Sequence, residues 1–237
     1  MNLNKGKIVF AVSLAAFSLC AVSNPANAFS LVDRTNFNDT DFRDTIKDNK
    51  FSELFVAEGR IGNNKLNGDR ELGINTATGA PVAQGQFNWG NNSFYDFSLE
   101  YTGNKVNYFL DGNLLSSEKF SGSVTDIFFR TRAAAESQIS LSHLTFNGNQ
   151  IGSLSSKGND SSDVDYLQIS NISSPFTITG KASMAWTSNQ PPRNSHLAYQ
   201  IKVGTSPTTS VPEPGITSAL LVAGITGLGL GRKKKQA

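Results

Sequence analysis

The chain has 237 residues, with 21 Lys and Arg against 19 Asp and Glu, and a single cysteine. Six cations at the two ends and Glu213 account for the basic excess, because the interior retains 15 basic and 18 acidic residues. A mildly acidic interior without a basic cluster gives no indication of nucleic-acid binding. Cys20 lies in the N-terminal leader, so the interior can form neither a disulfide nor a cysteine zinc site.

The first 28 residues have the three regions of a secretory signal peptide. Lys5 and Lys7 form a basic start, an apolar run extends from Ile8 to Val22, and Ala26-Asn27-Ala28 supplies the small residues of a cleavage site. A first transmembrane helix is the alternative, but the apolar run is too short to cross a bilayer. We therefore predict export through the Sec translocon and cleavage by signal peptidase after Ala28.

The C-terminal segment combines a linker, a proline motif, an apolar run and a cluster of cations. A Ser/Thr/Pro linker at 205–211 ends at Val211 and leads into Pro212-Glu213-Pro214, and the apolar run covers 216–230. The cluster consists of Arg232, Lys233, Lys234 and Lys235. As a helix, the apolar run spans roughly 23 Å, which is short for a hydrocarbon core of about 30 Å. The cations favour the cytoplasmic side, so the proline motif would lie outside the membrane.

In this order, the motif, the Gly-rich apolar run and the terminal cations resemble the PEP-CTERM sorting signal of Gram-negative bacteria, here over residues 212–235. The resemblance implies an inner-membrane intermediate that an exosortase, a membrane-embedded enzyme, recognises and cleaves near the motif. It also implies release or transfer to the cell surface. An ordinary C-terminal membrane anchor is the alternative.

Residues 29–204 predict one all-β domain, a single β-sandwich of the jelly-roll or concanavalin-like kind. Apolar residues alternate with polar ones in short runs that are separated by turn residues. The clearest run is 94–101, in which Tyr95, Phe97, Leu99 and Tyr101 share one face. Turns at Gly103-Asn104 and Asp111-Gly112 then predict a three-stranded meander up to Phe120.

Further strands are predicted from the same alternation, and Asn147-Gly148 predicts another hairpin turn. These strands cover 29–35, 52–58, 81–89, 124–131, 138–146, 150–154, 163–170, 175–180, 182–188 and 197–203. One short helix is expected at 40–48, capped by Thr40 or Asp41, with Phe42 and Ile46 on the same face.

The stretch from Arg70-Glu71-Leu72 through Gln86-Phe87-Asn88-Trp89 and the meander to Asp126–Arg132 is similar to the bacterial choice-of-anchor domains, and most of all to their W type. The similarity spans roughly 35–150. It implies display at the cell surface, and no functional residue carries over from it.

Catalytic patterns are weak in this sequence. His143 and His196 are the only histidines, and no Gly-x-Ser-x-Gly turn presents a nucleophile. Paired carboxylates could serve a glycosidase, but Glu53 and Glu58 are expected on opposite faces of a strand because side chains alternate. A catalytic site is therefore the minority interpretation.

Three groups of residues are candidates for binding. Trp89 and Trp186 stand beside polar turns, so one of them could offer an exposed surface for sugar stacking, although aromatic residues on strands are more often core. The acidic run Asp160, Asp163 and Asp165 could bind calcium, as could Asp39, Asp41 and Asp44, but solvated loops and helix caps explain both runs equally simply. Arg60, Asp69, Arg70 and Glu71 are expected to form a surface network of salt bridges.

Together these features predict an exported, non-catalytic protein of the cell surface or extracellular matrix, adhesive or associated with an exopolysaccharide. A surface glycosidase or lyase on the same fold is the alternative. Apart from calcium, no cofactor is expected.

Overall fold

The computed structural model describes residues 29–64 and 70–207, which form two antiparallel β-sheets and one helix. In chain order the elements are β1 (Ser30–Val32), α1 (Asp39–Lys47), β2 (Ser52–Arg60), β3 (Leu72–Asn75), β4 (Pro81–Gly85), β5 (Ser93–Tyr101), β6 (Val106–Leu110), β7 (Asn113–Ser117), β8 (Asp126–Ala133), β9 (Ser137–Phe146), β10 (Asn149–Gly158), β11 (Asp163–Ser170), β12 (Phe176–Trp186) and β13 (Ala198–Thr205).

The predicted signal peptide and sorting signal lie outside the described residues. The predicted linker starts one residue too early, because Thr205 is still the last residue of β13. Within 29–64 and 70–207, no helix has both the length and the apolar character needed to cross a membrane.

The two sheets enclose the main hydrophobic core between them, so the expected all-β fold is confirmed. One sheet has seven strands in the order β1-β11-β8-β13-β2-β3-β4, and the other has six in the order β10-β9-β12-β5-β6-β7. Strands of both sheets contribute buried side chains to one cluster, for example Ile201 and Phe129 from the first sheet and Leu99 and Ile178 from the second. Burial of this apolar surface is the main stabilising contribution to such a fold.

Side-chain alternation decides which residues face the core and which face outward. In β13, Tyr199, Ile201 and Val203 belong to the core, while Gln200 and Lys202 between them face outward. The outward positions of β8 are Phe128, Arg130 and Arg132 by the same rule. The outer face of the seven-stranded sheet therefore carries an unusual number of long polar side chains.

Two hairpin turns occur where the sequence predicts them. Asp111 and Gly112 connect β6 to β7 with φ angles of 41° and 87°, and Asn147 and Gly148 connect β9 to β10 with 49° and 79°. Two consecutive positive φ angles match the twist of the flanking strands, which is why Asn-Gly and Asp-Gly are favoured there. The predicted meander is confirmed as β5, β6 and β7.

The structure differs from the predictions in the number of strands at two places, while the predicted strands 81–89 and 150–154 differ from β4 and β10 only in length. The short strand β3 was not predicted, because four residues give too little alternation to detect. The predicted strands 175–180 and 182–188 are one continuous strand, β12, whose ladder with β5 runs across Gly180. Strand β12 has neighbours on both sides, and these ladders outweigh the local preference of glycine for a turn.

The helix is confirmed, and its cap lies earlier than expected. Asn38, and not Thr40 or Asp41, is the N-cap residue, and its side-chain oxygen accepts from the backbone N–H of Thr40 at 2.7 Å. Asp41 completes the capping box by accepting from the N–H of Asn38 at 2.9 Å. A second hydrophobic cluster joins the helix to the outer face of the seven-stranded sheet and comprises Phe42, Phe51, Phe128 and Tyr166.

Candidate functional site: a polar groove on the seven-stranded sheet

Trp89, one of the two tryptophans predicted to bind sugar, lies in the core. Its side chain is only 2% exposed, and its ring packs edge-on against Phe87 and Tyr95. The indole Nε1 donates to the carbonyl oxygen of Arg60 at 3.0 Å. The prediction of a binding role for Trp89 is therefore wrong, because its ring has no face open to a ligand.

The tyrosines of the meander are also core residues, as the simpler interpretation expected. Tyr101 and Tyr108 are fully buried, and the Tyr108 hydroxyl forms a hydrogen bond of 2.5 Å with that of Tyr199. Burial raises the pKa of Tyr108 and of Tyr199, so both phenols remain neutral. These rings therefore stabilise the sandwich and do not form a stacking surface.

Trp186 is half-buried and lines a cavity of about 320 Å³ at one end of β12. Asp160 and Lys157 line the same cavity. The structure thus brings together Trp186 and one of the predicted calcium ligands, which are 26 positions apart in the sequence. This cavity is a second candidate site among the described residues.

The three predicted calcium ligands do not converge. Asp163 accepts from the backbone N–H of Lys157 at 2.7 Å, and Asp165 accepts from the Ser156 hydroxyl at 2.9 Å. Burial raises the pKa of Asp165, and the neighbouring carboxylate of Asp163 raises it further. The hydrogen bond from Ser156 lowers this pKa, but by less than the other two effects raise it. Within 29–64 and 70–207, no three His, Cys, Asp or Glu residues are grouped so as to hold a metal ion.

Glu71 is not part of a surface network, so that prediction is wrong for this residue, and Asp69 of the same predicted network lies outside the described residues. Its side chain is fully buried, and its carboxylate accepts from the backbone N–H groups of Gly62, Asn63 and Asn64 at 2.6, 3.1 and 2.7 Å. Buried carboxylates need such donors to replace the water that they lose. Glu71 therefore holds in place the backbone that follows β2.

A bulge in β2 places two glutamates on one face. In the ladder with β13, Val203 pairs with Phe55 and the next residue, Gly204, pairs with Glu53, so that Leu54 is the extra residue. An extra residue resets the alternation of side chains. At this bulge β13 lies so close to β2 that it needs a glycine, because a Cβ at Gly204 would lie 2.1 Å from the Ser52 carbonyl oxygen.

Glu53 and Glu58 therefore both line the outer face of the seven-stranded sheet, and the expectation of opposite faces is wrong. Lys202 forms a salt bridge of 3.1 Å with Glu53, and Gln200 donates to Glu58 at 3.2 Å. Arg60 lies 3.9 Å from Glu58. The two carboxylates thus lie among donors that already neutralise part of their charge.

These residues form the floor of a groove, which we call the outer groove. It consists of two adjoining cavities of about 490 Å³ and 190 Å³ that share Glu53, Glu58, Gln200 and Lys202. The larger cavity extends over Arg130 and Arg132 of β8 towards the helix, and the smaller one extends over Asn75 of β3. The groove therefore crosses four strands, β8, β13, β2 and β3, over about 14 Å of sheet.

A wall of the outer groove is built by the helix and its ion pair with the sheet. Arg130 donates to both carboxylate oxygens of Asp39 at 2.6 Å, and the Tyr166 hydroxyl donates to the same carboxylate at 2.7 Å. Burial acts to raise the pKa of Asp39, but the hydrogen bonds from Arg130 and Tyr166 outweigh it and lower the pKa to about 2. Asp39 is therefore ionised at neutral pH, and the helix is held to the sheet by charge-assisted bonds.

The smaller cavity contains buried polar atoms without a partner. The side-chain oxygen of Asn75 and the Nε of Arg70 are both inaccessible to solvent and make no hydrogen bond. Gly73 of β3 leaves room for the Asn75 amide and the Glu58 carboxylate, since a Cβ there would lie 3.1 Å and 3.2 Å from them. Unpaired buried polar atoms are rare in folded proteins, and an ordered water, an ion or a ligand can supply the partner that the chain does not.

Neither histidine belongs to the outer groove. His143 lies on the outer face of the six-stranded sheet, where it lines a separate cavity with Lys181 and Phe109, and its Nδ1 contacts the Ser142 hydroxyl at 3.3 Å. His196 is in the loop before β13. The chemistry available in the groove therefore comes from carboxylates, guanidinium groups, amides, one ammonium and the hydroxyls of Ser195, Tyr166 and Thr76.

The fold and this site define a sandwich-like β domain with a polar groove across the outer face of its larger sheet. A comparison with models of known protein families found no match, and neither did a comparison with curated proteins.

Most residues of the outer groove are not among the site residues predicted from the sequence, although the sequence contains part of the pattern that places them. Gln200 and Lys202 alternate with apolar residues in a predicted strand, as Arg130 and Arg132 do in β8. Their shared outward face follows from the period of two. Asn75 had no such signal, because the strand that carries it was not predicted.

Proposed function

We propose that this protein is a non-catalytic component of the cell surface or extracellular matrix that binds an extracellular polysaccharide in the outer groove. The observation that carries the proposal is the groove itself, in which long polar side chains from four strands line one continuous depression. Sugar hydroxyls both donate and accept hydrogen bonds, and the groove offers both kinds of group side by side.

The residues at the ends of the chain support the surface location. The signal-peptide pattern would export the protein, and the PEP-CTERM-like tail would route it through the inner membrane to an exosortase. The similarity to choice-of-anchor domains points to the same destination. We further propose that the two sheets belong to the jelly-roll or concanavalin-like type of sandwich.

Binding can be measured with the protein as processed by the producing cell and with polysaccharide isolated from the same cells. We expect saturable binding and at least a tenfold weaker affinity in Gln200→Ala, because Gln200 lies in both cavities of the groove. Gln138→Ala is the matched control, since Gln138 lines the Trp186 cavity instead. A loss of binding in Gln138→Ala alone would move the site to that cavity and overturn the proposal.

A surface glycosidase or lyase is a second candidate, because the bulge gives Glu53 and Glu58 a common face. A pair of carboxylates on either side of a sugar could act as acid and base. The release of reducing ends, or of unsaturated ends, from the bound polysaccharide would reveal turnover. Turnover that disappears in both Glu53→Gln and Glu58→Gln would establish the enzyme and exclude the non-catalytic role, and binding without turnover would exclude the enzyme.

A further inference from the structure

The outer groove contains a donor and an acceptor that the folded chain leaves unused. Asn75 is 3% exposed, and its side chain makes no hydrogen bond to the described residues although its oxygen is completely buried. Arg70 lines the same 190 Å³ cavity, and its Nε has no acceptor. An unpaired buried amide or guanidinium costs free energy, so the arrangement favours a ligand that brings the missing partners.

The groove is also positive, although the domain around it is acidic. The residues that line its two cavities include six cations, namely Arg43, Arg60, Arg70, Arg130, Arg132 and Lys202. They include only three carboxylates, from Asp39, Glu53 and Glu58. A depression with an excess of one charge focuses its field and attracts ligands of the opposite charge.

Three of the six cations pair with the three carboxylates, and the other three cations have no carboxylate partner in the groove. Arg130 pairs with Asp39, Lys202 with Glu53, and Arg60 lies nearest to Glu58. The remaining cations, Arg43, Arg70 and Arg132, form no salt bridge within 29–64 and 70–207. They lie at both ends of the groove, because Arg70 belongs to the small cavity and the other two belong to the large one.

From these observations we infer that the outer groove binds an acidic polysaccharide, whose sugar rings carry a carboxylate or a sulfate ester. This inference rests on the proposed glycan-binding function and specifies its ligand. The guanidinium group of Arg70, which lines the small cavity, pairs with the anionic group of one ring, and the Asn75 amide in the same cavity turns its oxygen towards a hydroxyl of that ring. Arg43 and Arg132 meet a second anionic group farther along the chain. Planar guanidinium groups suit both anions, since each offers paired oxygens.

The spacing of the cations favours a polymer over a single small anion. The unpaired arginines lie on opposite sides of the salt bridge between Lys202 and Glu53, which occupies the centre of the groove. A small anion could contact only one end. A charged polymer with an anionic group on successive rings would contact both.

The inference is tested by calorimetric titration of the processed protein with oligosaccharides of equal length. The probes are an oligoglucuronate, a sulfated oligoglucose and a neutral oligoglucose. We expect the acidic oligomers to bind at least tenfold more tightly than the neutral one at 50 mM salt. This advantage should shrink at 500 mM salt, because counterions screen the guanidinium groups. A preference between the carboxylate and the sulfate probe identifies the anionic group.

Arg70→Gln removes the unpaired cation and should weaken binding of the acidic oligomer about tenfold while leaving the neutral one unchanged. Lys181→Gln is the matched control, because Lys181 is a cation of the six-stranded sheet that pairs with Asp96. Equal weakening by the two substitutions would mean that only overall charge matters, and this would overturn the inference.

Asn75→Leu gives a readout that a structural role would not produce. If Asn75 serves a ligand, its replacement by an apolar residue of similar size should remove an unpaired atom from the free protein. We then expect the melting temperature to stay the same or rise by about 2–4 °C, while affinity for the acidic oligomer falls. A fall in both stability and affinity would assign Asn75 to the fold and contradict the inference.

The outcomes separate this inference from the proposal on which it rests. Absence of binding to every glycan, including the native polysaccharide, would refute both. Binding of neutral and acidic oligomers with equal affinity would leave the glycan-binding function in place and refute the anionic ligand.

Discussion

Glu71 illustrates how a single charged side chain can organise a loop from the inside. Its carboxylate replaces solvent for three successive backbone N–H groups, of Gly62, Asn63 and Asn64. Asn64 in turn holds Trp89 by two hydrogen bonds, in which it accepts from the Trp89 N–H at 2.7 Å and donates to its carbonyl oxygen at 2.9 Å. The loop after β2 and the segment before β5 are thus joined through one buried carboxylate.

Replacing Glu71 by alanine should lower the free energy of unfolding by about 3 kcal/mol, because several buried donors lose a charged acceptor. Urea unfolding followed by tryptophan fluorescence measures this loss. In a Trp186→Phe background the signal comes from Trp89 alone, and we expect its emission to shift towards the red as the loop loosens.

Glu118→Ala is a suitable control, since Glu118 is an exposed carboxylate that is 77% accessible in its pair with Lys105. Exposed pairs of this kind contribute little. If Glu71→Ala were no more destabilising than Glu118→Ala, the loop would not depend on the buried carboxylate.

At the scale of elements, the helix is docked by an apolar cluster and by one ion pair. Phe42 packs against Phe128 with ring centroids 5.2 Å apart, while Asp39 at the first turn binds Arg130 through both of its oxygens. A carboxylate at the start of a helix also interacts favourably with the helix dipole. The ion pair therefore sets the angle at which the helix borders the outer groove.

The stability contributed by Asp39 should depend on pH in a predictable direction. Its pKa is about 2 in the folded protein against an ordinary value of 3.8. A lowered pKa means that the contribution is fully present above pH 4 and is lost as the pH falls towards 2. We therefore expect Asp39→Asn to be less stable than the wild type at pH 7, and the difference to shrink between pH 4 and pH 2.

Denaturant unfolding of both proteins at several pH values measures this difference. Asp44→Asn serves as the control, because Asp44 lies exposed on the same helix. A difference between the wild type and Asp39→Asn that stays constant from pH 7 to pH 2 would contradict the assigned ion pair.

The bulge in β2 could not be predicted from the sequence, and it decides on which face of the sheet the side chains before it lie. Alternation correctly predicts that Gln200 and Lys202 share a face, and it fails for Glu53 and Glu58, because one extra residue reverses the parity between them. That extra residue is defined by the partner strand, through the close contact of Gly204 with Ser52. Such a contact depends on tertiary structure and leaves no local pattern in the sequence.

For the whole molecule, the sequence predicted the all-β class, the meander, the hairpin turns and the helix, because each depends on local periodicity or turn chemistry. The burial of Trp89 and Glu71 was not predictable in this way. Both depend on contacts between segments that are distant in the chain or on backbone donors in a folded loop. The outer groove is likewise a product of strand order, since β13 lies between β8 and β2 in the sheet although the three strands are far apart in the sequence.

The predicted processing of both ends can be checked by intact mass and terminal peptide analysis of the protein from the cell. We expect the chain to begin at Phe29, whose ring packs edge-on against Phe146 with centroids 5.4 Å apart, so that cleavage after Ala28 leaves this contact intact. We also expect residues 216–237 to be missing.

Glu213→Ala, which alters the centre of the proline motif, should retain the tail. A mature wild-type protein that still carries residues 216–237 would exclude the sorting proposal and favour a permanent anchor.

The last strand of the described residues, β13, is also the central strand of the seven-stranded sheet, with β8 on one side and β2 on the other. Lys202 in the floor of the groove is three residues from Thr205, where β13 ends and the C-terminal segment begins. If the domain is tethered by its C-terminal segment while the groove binds a polymer, tension between cell and matrix would pass through the residues from Lys202 to Thr205. The pull would run along the strand, so both ladders would be loaded in shear, and their hydrogen bonds would have to break together. Such a domain would stay folded under the pulling force that flowing liquid exerts at the cell surface, because that force would act on β13 and its two ladders and not on most of the fold.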